Sequence, residues 1–173
     1  GSKIACIAVE ICSAAFYLDD DPGVLISLCL FGDGAAASIW SAEGDGSQVV
    51  CDDFDTLHLP GDRNLLRFEN SGGKLRNRLD RAVPEKAGQA VETLFHRANG
   101  TSEGVDVLSH AGGRDVLEEI CRRLEIADLP FSRQVLRDCG NMSSPSVLFA
   151  LDHYLERKNG GAFNAWATSF GAG

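Results

Sequence analysis

No apolar run in the 173 residues approaches the roughly 18 that a membrane-spanning helix needs; the longest, Val24 to Phe31, holds eight. No Cys-x-x-Cys pair occurs among the six cysteines, and no Cys/His pair has the spacing of a structural zinc site. Six thiols are also too few to staple a chain of this length, which leaves most of them as reduced, buried small hydrophobes. Positive charge is scarce: 16 Lys and Arg stand against 25 Asp and Glu, for a net charge of −9. Such a surface repels nucleic-acid backbones and anionic membranes, so neither is an expected partner. The opening Gly1-Ser2-Lys3 lacks the flanks of a signal peptide, and the expected location is the cytoplasm.

Against these absences stand 44% hydrophobic and 24% charged residues, the make-up of an ordinary globular protein. A chain this long buries about 70% of its unfolded surface, enough for one domain over residues 1–173. Ile4 to Ile11 is apolar and β-branched without alternation, as in a strand buried on both faces. Pro22 to Phe31 is apolar throughout, too short for periodicity to separate a strand from a helix, and is read as a short buried helix with Pro22 near its start. Ala35 to Trp40 is a strand of small residues, which the turn Glu43-Gly44-Asp45-Gly46 is expected to fold back onto a second strand within Gln48 to Leu59. Seven of the 16 basic residues fall between Arg63 and Lys86, interleaved with Glu69, Asp80 and Glu85, the pattern of a solvated hairpin or loop face.

Helical signals dominate the second half. Val83 to Arg97 has Pro84 in its first turn, a stripe of Ala87, Ala90, Val91, Leu94 and Phe95, and Asn99-Gly100 as its stop. After a short strand, Val105 to Ser109, Gly112-Gly113 opens a helix whose stripe is Val116, Leu117, Ile120, Cys121 and Leu124. Glu118 and Glu119 there stand four residues before Arg122 and Arg123, the ion-pair spacing. Phe131 to Asp138 is a further short helix, and another runs from Pro145 to about Lys158 with Ser144 as its cap. Ala162 to Ser169 is a last strand, from which Ser169-Phe170-Gly171-Ala172-Gly173 leads out as a Gly-rich turn. Strands and helices alternate, so the fold class is α/β, with helices over both faces of a sheet.

Gly32-Asp33-Gly34-Ala35-Ala36-Ala37 fits the dinucleotide fingerprint, with Asp52, Asp53 and Asp55 near the ribose-binding distance. Only about seven residues separate it from the next Gly-rich turn, too few for the crossover helix that would hold a pyrophosphate. The glycines are better read as places of close backbone approach. A sharper pair is His110, at the carboxyl end of a strand and just before a helix, and Asn141, which precedes another helix. Open α/β sheets bind ligands at such strand ends. A neutral imidazole and a carboxamide both donate hydrogen bonds and together suit a developing oxyanion, while a helix N-terminus disfavours imidazolium. Taken singly, each residue is equally at home as a hydrogen-bonded structural group.

Phe31-Gly32-Asp33-Gly34-Ala35-Ala36-Ala37, His110-Ala111-Gly112-Gly113, Gly140-Asn141-Met142-Ser143-Ser144 and Val147-Leu148-Phe149 follow the order seen in the chalcone and stilbene synthases. From Ile4 to Gly173 the chain resembles the C-terminal half of a type III polyketide synthase. The resemblance implies one half of a thiolase-like fold: a three-layer α-β-α unit with a five-stranded mixed sheet. It implies decarboxylative condensation of an acyl-CoA starter with malonyl-CoA through a Cys-His-Asn triad, with His110 and Asn141 as two members. The nucleophilic cysteine is then expected upstream of Gly1, in an N-terminal half outside this chain, and the chain alone is expected to be inactive. Phe31 matches an aromatic at the active-site entrance, while Ser169, Phe170 and Gly171 match a loop that shapes the cavity. Ser169 and Ala172 depart from the Gly and Pro of that loop, and the second entrance aromatic falls near Asn77. These departures favour a bacterial enzyme making a pyrone, a resorcinol or another short product. The family further implies a homodimer that needs no cofactor, its CoA thioesters being substrates. A carrier-protein-dependent ketoacyl synthase III-like enzyme and a non-catalytic partner subunit of the same fold are the alternatives.

Overall fold

The computed structural model describes residues 2–42, 49–99 and 103–172. Strand β1 (Lys3–Glu10) is followed by a 3-10 turn and helix α1 (Pro22–Leu30), then strand β2 (Gly34–Ser41). A hairpin of β3 (Leu66–Ser71) and β4 (Lys74–Leu79) leads into helix α2 (Val83–Asn99). The remainder is β5 (Asp106–Ser109), α3 (Arg114–Leu124), α4 (Pro130–Cys139), α5 (Ser146–Lys158) and β6 (Ala165–Thr168). Asp21 caps α1 by accepting from the backbone N–H groups of Gly23 and Val24, with Pro22 preset for the first turn.

Strand pairing departs from the sequence-based expectation. β2 is antiparallel to β1, from Lys3 opposite Ser41 to Glu10 opposite Gly34, and residues 49–59 form no strand. The turn at residues 43–46 lies outside the described residues. A strand's partner is chosen by tertiary packing, and β1 offers β2 eight matched positions. Nor do the described residues form the expected five-stranded mixed sheet. The described residues make three separate pairs: antiparallel β1–β2, antiparallel β3–β4 and parallel β5–β6. A single parallel bridge between Phe31 and Asn141 joins the β2 side of the molecule to the α/β side.

The core sits in the second half. Val91 and Phe95 of α2, Val107 of β5 and the α3 stripe of Val116, Leu117, Ile120 and Leu124 form one cluster, sealed by Leu129. Phe95 stands edge-on to Trp166 of β6 at 5.1 Å between ring centroids. Ala111, Val135, Met142 and Ala150 form a second cluster beneath α4 and α5. Between α2 and α3, Arg123 bridges Glu92 at 2.8 Å and Glu119 at 2.6 Å. Glu119 therefore takes both Arg122 and Arg123, while Glu118 turns to Arg114 at 3.7 Å instead of to Arg122. One carboxylate already held by two guanidinium groups leaves its neighbour free to pair backwards along the helix.

Other expectations about burial and capping are also revised. β1 is exposed along most of its length, with Ile4, Ile7 and Val9 all more than half exposed, because nothing among the described residues covers it. In α1 only Val24 is buried. No cysteine is buried either: Cys6, Cys29 and Cys51 are exposed and Cys12, Cys121 and Cys139 half-buried, all as free thiols. Ser144 does not cap α5, since its hydroxyl donates to Glu10 Oε1 at 2.8 Å; Pro145 occupies the cap position and Ser146 Oγ accepts from Met142 N at 3.0 Å. No helix among the described residues is long and apolar enough to cross a membrane.

Candidate functional site

His110 follows directly on β5, where its backbone N–H continues the parallel ladder by donating to Thr168 O at 2.8 Å. Strand pairing thus fixes the backbone, and packing fixes the ring. The imidazole meets Phe170 edge to face at 4.9 Å between centroids, and a Cβ added to Gly112 would lie 2.8 Å from the same Phe170 ring. Gly112 is therefore glycine because the loop after β5 passes too close to these two rings for any side chain. His110 is 6% exposed, and its Nδ1 has no hydrogen-bond partner. Burial pushes its pKa down to about 4, with the Ser143 backbone acting weakly the other way, so the ring is neutral at physiological pH.

Asn141 arrives from the other side of the bridge. Its backbone N–H donates to Leu30 O at 2.8 Å, and its carbonyl accepts from Gly32 N at 3.0 Å. A Cβ on Gly32 would collide with the Cys139 carbonyl, so the glycine motif serves close packing of this segment, and the residues after it enter β2 rather than a helix. The side chain, 6% exposed, is held at both ends. Its Oδ1 accepts from Ser143 N at 2.8 Å, and its Nδ2 donates to Gly112 O at 3.2 Å. The first bond settles which end of the amide is which, and Nδ2 keeps a second N–H in hand. Ser143 closes this turn in the left-handed region, φ +57°, a conformation that costs a non-glycine residue about 1 kcal/mol or more.

Both side chains open onto one cavity of about 1350 Å³, and Phe31, Ser169, Phe170 and Gly171 line it too. All six residues singled out in the sequence therefore meet at one place. Two further features were not legible there. Cys12, expected only as a reduced thiol with no role of its own, lines the same cavity, but burial, with Glu10 and Asp33 nearby, pushes its thiol pKa up, the opposite of nucleophile activation. Ser132 Oγ, buried on α4, accepts from Ser109 N at 2.9 Å and so steadies the strand end that carries His110. Asn77 of β4, near which the resemblance put the second entrance aromatic, lines the cavity as well, and its buried Oδ1 has no partner. Among the described residues no group of three or more His, Cys, Asp or Glu is placed to hold a metal ion.

Comparisons with known proteins bear on this site. The family profile for chalcone and stilbene synthases, C-terminal domain, matches residues 56–173. The chain is 30% identical over 171 residues to a 3,5-dihydroxyphenylacetyl-CoA synthase of Streptomyces toyocaensis, covering 90% of this chain and 44% of that protein. It is 32% identical over 190 residues to type III polyketide synthase 21 of Oryza sativa subsp. japonica, covering 100% of this chain and 49% of that one. Among solved structures, the polyketide synthase PKS-I of the brown alga Ectocarpus siliculosus superposes with a TM-score of 0.85 at 24% identity, over 99% of this chain and 50% of its own. The 1,3,6,8-tetrahydroxynaphthalene synthase of Streptomyces coelicolor A3(2) does so with a TM-score of 0.79 at 27% identity, over 90% of this chain and 47% of its own. The α/β chain thus has the fold of these synthases while spanning less than half the length of the curated relatives it matches.

Proposed function

The chain belongs to the chalcone and stilbene synthase family, and from that premise we propose that the intact protein is a type III polyketide synthase that condenses an acyl-CoA starter with malonyl-CoA. The observation that carries the proposal is the convergence of a buried neutral His110 and a pinned Asn141 carboxamide on one large cavity. Loss of CO2 from malonyl-CoA leaves an enolate whose oxygen bears the charge. Neutral N–H donors fixed beforehand stabilise such an oxyanion without reorganising in the transition state. Asn141 brings the second N–H of Nδ2, and His110 brings an imidazole that burial keeps uncharged.

The third member of the proposed triad is a cysteine from the part of the relatives' length that this chain does not span. A thiolate set against the His110 ring would favour imidazolium and offset the effect of burial, giving an ion pair that activates the nucleophile. That thiolate takes the acyl group from the starter thioester, with CoA as the leaving group; the enolate carbon then attacks the acyl-cysteine, and the cysteine thiolate leaves in turn. The family membership also suits a cytoplasmic homodimer acting on CoA thioesters without a further cofactor. Full-length protein given an acyl-CoA and malonyl-CoA should release CO2 and free CoA and accumulate a chain-extended product. Absence of CO2 and product across short, long and aromatic starters would sink the proposal.

A further inference from the structure

Among the described residues β5 pairs with a strand on one side only. Asp106 N donates to Asn164 O at 2.9 Å and His110 N to Thr168 O at 2.8 Å, so the N–H groups of alternate residues point at β6. Those of the residues between, Ser109 among them, point at the open edge. There Ser109 N donates to Ser132 Oγ of α4 at 2.9 Å, and both residues are 0% exposed. Ser132 is the polar member of the buried face that Leu129 and Val135 mark on α4 and its cap. An alanine would fill that face nearly as well but would leave a buried backbone N–H unpaired, a state folded proteins avoid. From Ser109 the bonds continue to the site. Ser109 Oγ donates to His110 O at 3.2 Å, the same carbonyl accepts from Gly112 N at 2.9 Å, and Gly112 O accepts from Asn141 Nδ2 at 3.2 Å. The far end of α4 passes through Gly140 into Asn141, and Val135 packs in one cluster with Ala111 and Met142, the residues that follow His110 and Asn141. One helix thus grips the His110 strand at its first turn and delivers Asn141 from its last.

We propose that Ser132 is a positioning residue for the decarboxylation: by holding Ser109 to α4 it sets the His110 imidazole at a fixed separation from the Asn141 carboxamide. The inference rests on the synthase reading above, and supplies the means by which two donors from different segments share one geometry. Two donors serve one enolate oxygen only if both stand in place before the charge develops, and a shift of about 1 Å can cost such a step about 10²-fold. Neither Ser132 nor Ser109 lines the cavity, so the turnover step depends on them and substrate binding does not.

The test measures CO2 release from malonyl-CoA by the full-length protein and by its Ser132→Ala, Ser132→Cys and Ser132→Thr variants, each made also in the His110→Ala background. Ser132→Ala removes the acceptor and is expected to lower kcat about tenfold, with KM within about twofold of the wild type. Ser132→Cys is close to the native shape but a weak acceptor; it should lose as much, and it carries the test if Ser132→Ala does not fold. Ser132→Thr keeps the hydroxyl and should hold kcat to within about twofold. In the His110→Ala background all three substitutions should change kcat by no more than about twofold, because the group they position is gone. A wild-type kcat in the folded Ser132→Ala or Ser132→Cys protein would overturn the proposal. So would an equal loss with and without the His110 ring, or a loss in Ser132→Thr as large as in Ser132→Ala. Wild-type protein that releases no CO2 would overturn the synthase reading itself, and this inference with it.

Discussion

The β1–β2 sheet with α1 and the hairpin, and the α/β unit of α2 to α5 with β5 and β6, carry the same kinds of apolar side chain but dispose of them in opposite ways. All the large hydrophobic side chains that are exposed among the described residues lie between Ile4 and Leu79. With the exception of Val24, the buried ones lie between Val83 and Tyr154. On β1–β2 the register sets Ile7 opposite Ala37 and Ala5 opposite Ile39, an apolar sheet face with Ile7 72% and Ile39 74% exposed. Such a face costs solubility and gives nothing back unless something covers it. The second region therefore owes its stability to its own core, whereas the first leaves an apolar face uncovered among the described residues. Under the proposed synthase reading, the part of the relatives' length that this chain does not span would supply the cover.

The comparison is broken most directly in the packed region. Phe95→Ala should destabilise the protein by about 3–5 kcal/mol in urea unfolding, because the side chain is 0% exposed and meets Trp166 edge-on. A smaller loss would mean that the second region is not held by its core. The next effect lies at the seam, where His110 sits. Unfolded imidazole takes its proton near pH 6.5, whereas folded His110 stays neutral down to about 4. Between those values the unfolded chain binds the extra proton, so stability is full above the window and falls as pH drops through it, by about 3 kcal/mol at the lower end. His110→Gln should flatten that part of the pH–stability curve, and an unchanged slope would show that the ring is not buried neutral.

Tyr154→Phe removes the hydroxyl that donates to Asp106 Oδ2 at 2.7 Å, and a loss of about 1–2 kcal/mol is expected in the same unfolding assay. Lys158, 2.9 Å from that carboxylate, tempers the loss by keeping it paired. Ile39→Ser sharpens the comparison most finely. In the 173-residue chain it should shift stability by no more than about 0.5 kcal/mol, the scale of a surface change, and in the full-length protein by several times that. Equal effects in both would mean that the β1–β2 face stays open.

How much of this was legible in the sequence follows the same division. The helices α2, α3 and α5 lie within a residue or two of their expected ranges, because the stripe of Val116, Leu117, Ile120 and Leu124 and the proline and glycine punctuation are local signals. β1 and β2 were placed correctly as strands but not in their pairing or burial. An apolar run says that a side chain wants cover, not which segment supplies it. At the site, His110 and Asn141 were found from their words and from their positions before helices. Ser132 behind Ser109 and the unpaired oxygen of Asn77 were not, because a hydrogen bond across 23 residues and a missing partner exist only once the chain is folded.

The central claim is that His110 and Asn141 act together on a malonyl thioester, and CO2 release from malonyl-CoA by the full-length protein measures it without needing to know the starter. His110→Ala and Asn141→Ala should each slow that release by about 10²–10³-fold, the cost of removing one preorganised oxyanion donor, while far-ultraviolet circular dichroism stays that of the wild type. Wild-type rates of decarboxylation in either folded variant would contradict the account.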